Sequence, residues 1–211
     1  MTLDSRLPMI PAIVLAAGRS TRMGRAKALL PIGSGETFLS RIVRTLRDAD
    51  VDDVVVVIGH EPQEIVADLE RQGLAVRFAL NPDFDKGQLS SLVAGLNVID
   101  RPGVAASLIT LVDVPLVSAA TVRAVIDRYR ATRASVVRPV ASGRHGHPVI
   151  VDRALFDRFR AADPALGAKI VVRQHASAEG EVEVADPGAF QDVDTPDEYE
   201  QLLTKVGRGG F

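Results

Sequence analysis

The sequence contains no cysteine. Without a thiol, the chain excludes a disulfide framework, a cysteine-ligated iron–sulfur cluster and a thiol nucleophile. Long apolar runs are lacking too, since the segment 9–17 is far shorter than the roughly 20 residues of a membrane-spanning helix. Residues 1–8 are polar and mixed rather than typical of a signal peptide. We therefore expect a soluble, cytoplasmic protein with no membrane partner.

A marked excess of charge of either sign is also absent, because the formal net charge is only −2. Any basic patch must be local, so a general role in binding nucleic acid is disfavoured. No internal repeat or low-complexity linker divides the chain. Its 211 residues are typical of one α/β domain with a sizeable core.

Near its start the chain passes from an apolar run into a cationic loop. Residues 12–17 predict a short strand that is buried on both faces and ends at Gly18. A glycine loop with flexible cations can wrap a polyphosphate, because its N–H groups approach the phosphate oxygens and its cations neutralise their charge. A solvated basic loop is the alternative. The loop residues in question are Arg19, Arg22, Gly24, Arg25 and Lys27.

Alternating strand and helix patterns predict an α/β fold. Helical spacing of apolar residues follows Thr37, a branched run occupies residues 54–58, a second helix ends at Gly73, and period-two alternation marks residues 76–80. This order is typical of a mostly parallel sheet with crossover helices. The cationic loop would then lie at the carboxyl end of the first strand, where ligands of open sheets bind.

A second polar stretch precedes the helical pattern that begins near Leu89. Asn81 follows the period-two strand, and Gly87, Ser90 and Ser91 stand at the helix start. The N–H groups and hydroxyls there could contact an anion or the edge of a base. A simple capped helix would explain the same residues.

Aspartates stand at two further places. Asp113 ends a buried strand, where a carboxylate is costly unless a cation lies beside it, although it could also cap the following turn. Thr195 and Glu198 predict a capping box for the last helix, and this box does not require the preceding Asp192 and Asp194. As alternate residues of a strand, those two carboxylates could approach one shared ion.

The cationic loop resembles the signature L-A-[AG]-G-x-x-x-R-M-G-x-x-K of the nucleotidyltransferases that attach a nucleotide to the molybdenum cofactor, and of their sugar-nucleotide relatives. The resemblance implies that Arg22 and Lys27 contact the phosphates and act in catalysis. It also implies that the glycine loop, with Arg19, binds the nucleotide. The matching positions are Leu15, Ala16, Ala17, Gly18, Arg22, Met23, Gly24 and Lys27.

The same resemblance implies roles for the other polar stretches. In this family an asparagine, a glycine and a serine pair line the nucleotide pocket, an Asp-x-Pro holds catalytic Mg²⁺, and a [DN]-x-[DN]-T-P segment completes the metal site. By this resemblance, the nucleotide pocket is lined by Asn81, Gly87, Ser90 and Ser91, and the metal is held by Asp113 with Asp192 or Asp194.

The loop 141–148 is the candidate acceptor region. Its Gly146-His147-Pro148 resembles a segment that borders the acceptor site in the cytidylyltransferase branch. This implies that His147 contacts the acceptor. The alternative is that His147 is only a residue of a turn. Arg144 is a looser candidate for an acceptor phosphate. A zinc site on the loop histidines is disfavoured, because the chain has only four histidines and no cysteine.

Taken together, the resemblance implies a single-domain, Rossmann-like three-layer αβα nucleotidyltransferase fold with a mostly parallel central sheet. Residues 11–206 would form the domain, with residues 1–10 as an N-terminal extension and residues 207–211 as a flexible tail. The implied reaction is magnesium-dependent transfer from a nucleoside triphosphate, CTP in view of Leu-Ala-Ala-Gly, to a phosphorylated acceptor, with release of pyrophosphate. Molybdopterin is the first candidate acceptor, and a molybdoenzyme or its chaperone is a candidate partner.

Three alternatives remain open. The acceptor could be a sugar phosphate or another small phosphorylated molecule, and the protein could be a catalytically silent nucleotide-binding accessory. An NAD-dependent oxidoreductase is the third alternative. It is disfavoured because the glycines match neither the dinucleotide nor the P-loop pattern, although Glu61 near the second strand could contact a ribose.

Overall fold

Short apolar runs form the strands of a central sheet in the computed structural model, which describes residues 8–18, 23–59 and 62–207. Branched residues favour this extended conformation, and all five residues of the run 54–58 are buried. The strands are β1 (Ala12–Leu15), β2 (Pro31–Gly33), β3 (Glu36–Thr37), β4 (Val54–Ile58), β5 (Arg77–Leu80), β6 (Ala106–Leu111), β7 (Val136–Ala141), β8 (Arg144–His145), β9 (Val149–Asp152) and β10 (Glu181–Glu183).

The main sheet has the strand order β10-β7-β9-β6-β1-β4-β5, with β8 paired to β7 at one side. Strand β1 is parallel to both of its neighbours, so that Leu15 lies opposite Val57 of β4 and Leu111 of β6. Strand β9 runs antiparallel to both β6 and β7. Strands β2 and β3 form a separate antiparallel ribbon. The sheet is therefore mostly parallel, as predicted.

Helices cover both faces of the sheet. They are α1 (Phe38–Asp48), α2 (Pro62–Arg71), α3 (Gln88–Ile99), α4 (Ala119–Thr132), α5 (Phe156–Arg160), α6 (Ala168–His175) and α7 (Pro196–Gly207). The first core packs α1, α2 and α4 against one face, and the second packs α3, α5 and α6 against the other. Residues of β4 alternate between the two cores, with Val54 and Val56 in one and Val55 and Val57 in the other. This confirms the three-layer α/β fold.

Capping residues begin the helices where the sequence predicted. Thr37 accepts a hydrogen bond from the Ser40 amide at the start of α1, and the Ser40 hydroxyl accepts one from the Thr37 amide. At the start of α7, Glu198 donates its amide to Thr195 Oγ1 at 3.3 Å and accepts the Thr195 amide at 2.9 Å. This capping box fixes the chain that carries Asp192 and Asp194.

The structure differs from the sequence analysis at three places. Strand β9 was not predicted, because a run of four residues between a loop and a helix gives a weak pattern. The segment that carries Asp192 and Asp194 is irregular rather than a strand, although Val193 between them is buried. Helix α7 continues through Gly207, one residue beyond the predicted domain end.

The described part of the N-terminal extension contacts the domain. Met9 forms a parallel bridge with Val104, with its amide 3.0 Å from the Gly103 carbonyl oxygen. Within the described ranges, every helix is too short or too polar to cross a lipid bilayer.

Candidate functional site

The predicted site residues meet because of strand direction. Strands β1 and β6 are parallel and end side by side at Leu15 and Leu111, so the chain after each emerges at the same edge of the sheet. This brings Gly18 and Asp113 together. Strand β9 is antiparallel to β6, so the loop that precedes it reaches that same edge and brings His147 there.

A cavity of about 300 Å³ lies at this edge, and we call it the strand-end cleft. Several of its lining residues were predicted from the sequence. Gly18 and Lys27 line it from the first loop, Gly87 and Ser91 from the start of α3, and Asp113 from the chain after β6. The predicted residues that line it are Leu15, Ala17, Gly18, Lys27, Gly87, Ser91, Asp113 and Asp194.

Lys27 is the buried cation of the strand-end cleft. Its side chain is only 9% exposed, and its Nζ lies 2.5 Å from Asp194 Oδ1 and 3.6 Å from Asp113 Oδ2. Burying an ammonium group is costly unless carboxylates compensate for its charge. The arrangement therefore joins the first loop, the end of β6 and the chain before α7 into one charged cluster.

Asp113 is the less satisfied carboxylate of this cluster. Burial raises the pKa of Asp113 above its ordinary value; Lys27 opposes this shift, while Asp194 and Asp192 add to it. Its buried Oδ1 has no hydrogen-bond partner among the described residues. Its main-chain oxygen accepts a hydrogen bond from the Val193 amide at 2.9 Å, which holds the segment with Asp192 and Asp194 beside the end of β6.

The donor set fits a divalent cation that substrate phosphates would help to bind. The unpaired Oδ1 of Asp113 and the adjacent carboxylate of Asp194 are hard oxygen ligands of the kind Mg²⁺ prefers. Across residues 8–18, 23–59 and 62–207, however, no three His, Asp or Glu side chains are grouped to hold a metal by themselves. Mg²⁺ usually takes one or two carboxylates together with phosphate oxygens and water.

The two alternative metal ligands differ in position. Asp194 lines the strand-end cleft and pairs with Lys27. Asp192 is exposed and does not line the cleft, although its charge raises the pKa of Asp113. The geometry thus favours Asp194 as the partner of Asp113.

The start of α3 also lines the strand-end cleft. Gly87 precedes the helix with φ of 104°, a conformation that side chains rarely adopt. Ser91 lines the strand-end cleft, whereas Asn81 and Ser90 do not. The side-chain nitrogen Nδ2 of Asn81 donates to Ser90 Oγ at 2.9 Å and to Ser91 Oγ at 3.0 Å. Asn81 therefore positions the serine pair from behind.

The other predicted residues of the nucleotide site either do not line the strand-end cleft or lie outside the described residues. Gly24 has φ of 68° but does not line the cleft, and Ala16 is buried with its amide 3.0 Å from the Val57 carbonyl oxygen. Arg19, Arg22 and Glu61 lie outside the described residues.

A second, larger pocket of about 640 Å³ adjoins the strand-end cleft, and we call it the basic pocket. Leu15, Gln88 and Leu111 line both cavities, so the two are direct neighbours. The predicted acceptor residues Arg144 and His147 both line the basic pocket.

His147 is held rigidly in this pocket. Its amide donates to the Ala189 carbonyl oxygen at 2.8 Å, and a Cβ on the preceding Gly146 would lie 2.3 Å from that same oxygen. Burial lowers the pKa of His147 below its ordinary value, opposed by a hydrogen bond to the Ile109 main chain and by the charge of Asp192. The ring is therefore favoured in its neutral form. Its buried Nδ1 has no hydrogen-bond partner among the described residues.

Sequence reasoning missed several lining residues of the basic pocket. Gln88 lies between the two cavities, and Arg138, Lys169 and Arg173 add positive charge. One signal was available for the last two, because a lysine and an arginine four residues apart share a helix face. No pattern in the sequence joined that helix to the loop 141–148.

Comparisons with known proteins agree with this geometry. The nicotine blue oxidoreductase of Paenarthrobacter nicotinovorans is 29% identical over 207 residues, covering 95% of this chain and 99% of that protein. A probable molybdenum cofactor guanylyltransferase of Natronomonas pharaonis is 27% identical over 200 residues, covering 92% of this chain and 96% of that protein.

Two solved structures extend the comparison. A nucleotidyl transferase from Methanothermobacter thermautotroptrophicus has a TM-score of 0.75 at 26% identity, covering 95% of this chain and 99% of the other. Rv0371c of Mycobacterium tuberculosis H37Rv, solved in complex with manganese, has a TM-score of 0.71 at 28% identity, covering 94% of this chain and 100% of the other. The family described as the MobA-like NTP transferase domain matches residues 12–179, most of the sequence, and the chain belongs to that family.

Proposed function

We propose that this protein transfers a nucleotidyl group from CTP to a phosphorylated acceptor, with molybdopterin as the first candidate, and releases pyrophosphate. The position of Lys27 is the observation that supports this proposal most strongly. Lys27 is buried between Asp113 and Asp194 in a cleft that Gly18 also lines. A site that brings a buried cation and two carboxylates to one cavity suits phosphoryl chemistry, which depends on positioning and charge neutralisation.

In this proposal the triphosphate lies against the glycine loop, and an acceptor phosphate oxygen attacks the α-phosphorus. Lys27 stabilises the charge of the departing pyrophosphate, and Arg22 of the same loop assists it. Asp113, with Asp194 or Asp192, would hold Mg²⁺, which neutralises charge on the reacting phosphate when bound. Gly87 and Ser91 contact the nucleotide, with Asn81 and Ser90 supporting them.

The base is proposed to be cytosine because of Ala17. This residue is buried and lines the strand-end cleft, so its methyl group takes volume that a larger purine would need. The relative from Natronomonas pharaonis is named as a guanylyltransferase, so base choice can differ within the family. The preference should be graded, since one methyl in a pocket contributes about 1 to 3 kcal/mol.

The acceptor is proposed to occupy the basic pocket, where Arg144 and His147 contact it. We further propose that the protein acts in the cytoplasm, where nucleoside triphosphates are supplied, and delivers its product to a molybdoenzyme or its chaperone. A sugar phosphate or another small phosphorylated acceptor is the alternative substrate. A catalytically silent accessory role is the other alternative, and the retained Lys27, Asp113 and Asp194 argue against it.

An oxidoreductase is a second candidate function, because one relative over nearly the whole chain bears that name. The glycine spacing of the first loop matches no dinucleotide fingerprint, and the charged cluster in the strand-end cleft has no evident use in hydride transfer. These observations favour the transferase.

The test is a screen for pyrophosphate release with each nucleoside triphosphate against a panel of phosphorylated acceptors, including molybdopterin, with and without Mg²⁺. We expect release that requires acceptor and metal, is fastest with CTP, and falls by about 100- to 1000-fold in Lys27→Ala. Parallel assays follow oxidation of NADH and NADPH. Reduction of an acceptor without pyrophosphate release in any combination would replace the proposal with the oxidoreductase.

A further inference from the structure

The basic pocket is lined by charge of one sign only. Every charged residue that lines it carries positive charge, although the whole chain has a formal net charge of −2. None of the described carboxylates lines it. Such a concentration of one charge raises the local concentration of anions. The cations are Arg138, Arg144, Lys169 and Arg173.

Two of these cations are without partners in the described part of the chain. Lys169 and Arg173 lie four residues apart on α6, so they share the helix face that also presents Val172 to the pocket. Neither makes a side-chain hydrogen bond or ion pair with a described residue. Like charges at this spacing repel each other weakly, and an anion bound between them would relieve that repulsion.

A third cation extends the group from the sheet side. Arg138 of β7 has a side chain only 15% exposed, and its Nη2 donates to Glu181 Oε1 at 3.1 Å. Its buried Nε has no hydrogen-bond partner among the described residues. Glu181 also lies 3.0 Å from His145 Nε2, so this carboxylate is shared and neutralises the group only in part.

The basic pocket also has an apolar lining, which includes Leu92, Ile109 and Phe159. Leu15 and Leu111 line both cavities, so apolar side chains are shared between the basic pocket and the strand-end cleft. A molecule that occupies both cavities would therefore contact apolar side chains, the charged cluster of the cleft and the cations of the basic pocket.

We propose that the acceptor carries a second anionic group at the end opposite its reacting phosphate, and that Lys169, Arg173 and Arg138 bind this group. The inference rests on the proposed function, since it describes the acceptor of that reaction. It narrows the acceptor class to molecules with two separated anionic groups and an apolar or planar body between them. Acceptors with one phosphate and an otherwise neutral body should bind weakly.

The test uses alkylphosphonates of increasing chain length as a ruler, titrated calorimetrically into the whole protein. At each length three probes are compared, whose far end carries a methyl, a carboxylate or a second phosphonate group. We expect one chain length at which the doubly charged probes bind at least about tenfold more tightly than the methyl probe, as charge-assisted hydrogen bonds require. Comparison of the carboxylate and phosphonate probes identifies the preferred group.

The double variant Lys169→Gln/Arg173→Gln should erase this preference. The matched control is Arg128→Gln, which removes an exposed arginine from α4 that lines neither cavity. Equal affinity of all three probes at every length would overturn the proposal. So would a preference that survives the double variant, or one that the control variant loses equally.

Each titration is run with and without CTP and Mg²⁺, and CTP binding is measured separately. If CTP binds while the probes are not discriminated, the second anionic group is wrong and the proposed function stands. If the probes are discriminated while CTP does not bind, the anion subsite stands and the proposed function is wrong.

Discussion

The two cavities at the sheet edge differ in how their charges are balanced. In the strand-end cleft, the Lys27 ammonium is buried against the carboxylates of Asp113 and Asp194. In the basic pocket, Lys169 and Arg173 are exposed and face no described carboxylate. A balanced, buried cluster can exchange its internal partners for a metal and a triphosphate, whereas an unbalanced one attracts an anion directly. This difference is consistent with the proposed function, in which nucleotidyl transfer takes place in the cleft and the acceptor is recognised in the pocket.

The largest effect is expected at Asp113. Asp113→Asn should abolish metal-dependent turnover, because the neutral amide is a poor Mg²⁺ ligand. Calorimetric titration of Mg²⁺ and Mn²⁺ into this variant, and into Asp192→Asn and Asp194→Asn, separates ligand from bystander. We expect loss for Asp113 and Asp194 and little change for Asp192. Unchanged metal affinity in all three variants would show that the metal site lies elsewhere.

The same variant should be at least as stable as the wild type. Because burial raises the pKa of Asp113, the folded state holds this proton more tightly than the unfolded state does. Wild-type stability should therefore fall as pH rises from the ordinary carboxyl range through the raised pKa, and the fall should be absent in Asp113→Asn. Thermal melting across that range checks it, and a variant less stable at neutral pH would contradict the assignment.

The next largest effect is expected at Lys27. Lys27→Ala should lower turnover by about 100- to 1000-fold, as loss of one donor to a developing charge commonly does, and should alter turnover far more than folding. Metal affinity should stay equal or rise, because an ammonium group no longer competes for Asp113 and Asp194. Turnover, melting temperature and metal titration are measured on the same preparation. Near-normal turnover in the folded variant would remove Lys27 from the mechanism.

A smaller effect is expected from Ala17→Gly, which enlarges the strand-end cleft by one methyl group. The ratio of kcat/KM for CTP over GTP should fall, by at most the equivalent of about 1 to 3 kcal/mol. Direct competition between the two nucleotides measures it. If wild-type protein uses both equally, or the variant gains nothing with GTP, base choice depends on other residues.

The smallest effect concerns salt. The screening length shortens from about 10 Å at 0.1 M to about 3 Å at 1 M salt, and exposed charges are screened far more than buried ones. Raising the salt concentration should therefore weaken anion binding by the exposed Lys169 and Arg173 more than it weakens metal binding at Asp113. Titration of a doubly charged phosphonate and of Mn²⁺ at several salt concentrations compares them. Equal salt dependence would remove the distinction between the two cavities.

The sequence predicted the strand-end cleft far better than the basic pocket. Gly18, Lys27 and the flanking alanines lie within one short motif, and Asp113 follows a buried run, so local patterns marked each of them. The basic pocket depends on tertiary placement. Arg138 lies on β7 and Arg173 on α6, and no local pattern indicated that they line one pocket. The antiparallel β9 between β6 and β7 was not predicted either, because its four residues give a weak pattern.

The irregular segment before α7 is a second place where local sequence patterns could not predict the arrangement. Its aspartates were predicted to share a face because alternate strand residues do, yet the segment is held by the capping box of α7 and by the contact between Val193 and Asp113. Spacing alone could not choose between Asp192 and Asp194, whereas the pairing of Asp194 with Lys27 favours one of them.

The most direct test of the account locates the metal in the presence of CTP. Mn²⁺ is added to isotopically labelled protein, and the paramagnetic broadening of amide signals by NMR is mapped along the chain. The account predicts broadening that requires CTP for its full strength, centres on the amides beside Asp113 and Asp194, and disappears in Asp113→Asn. Broadening that centres on any other part of the molecule, or that is unchanged in Asp113→Asn, would contradict it.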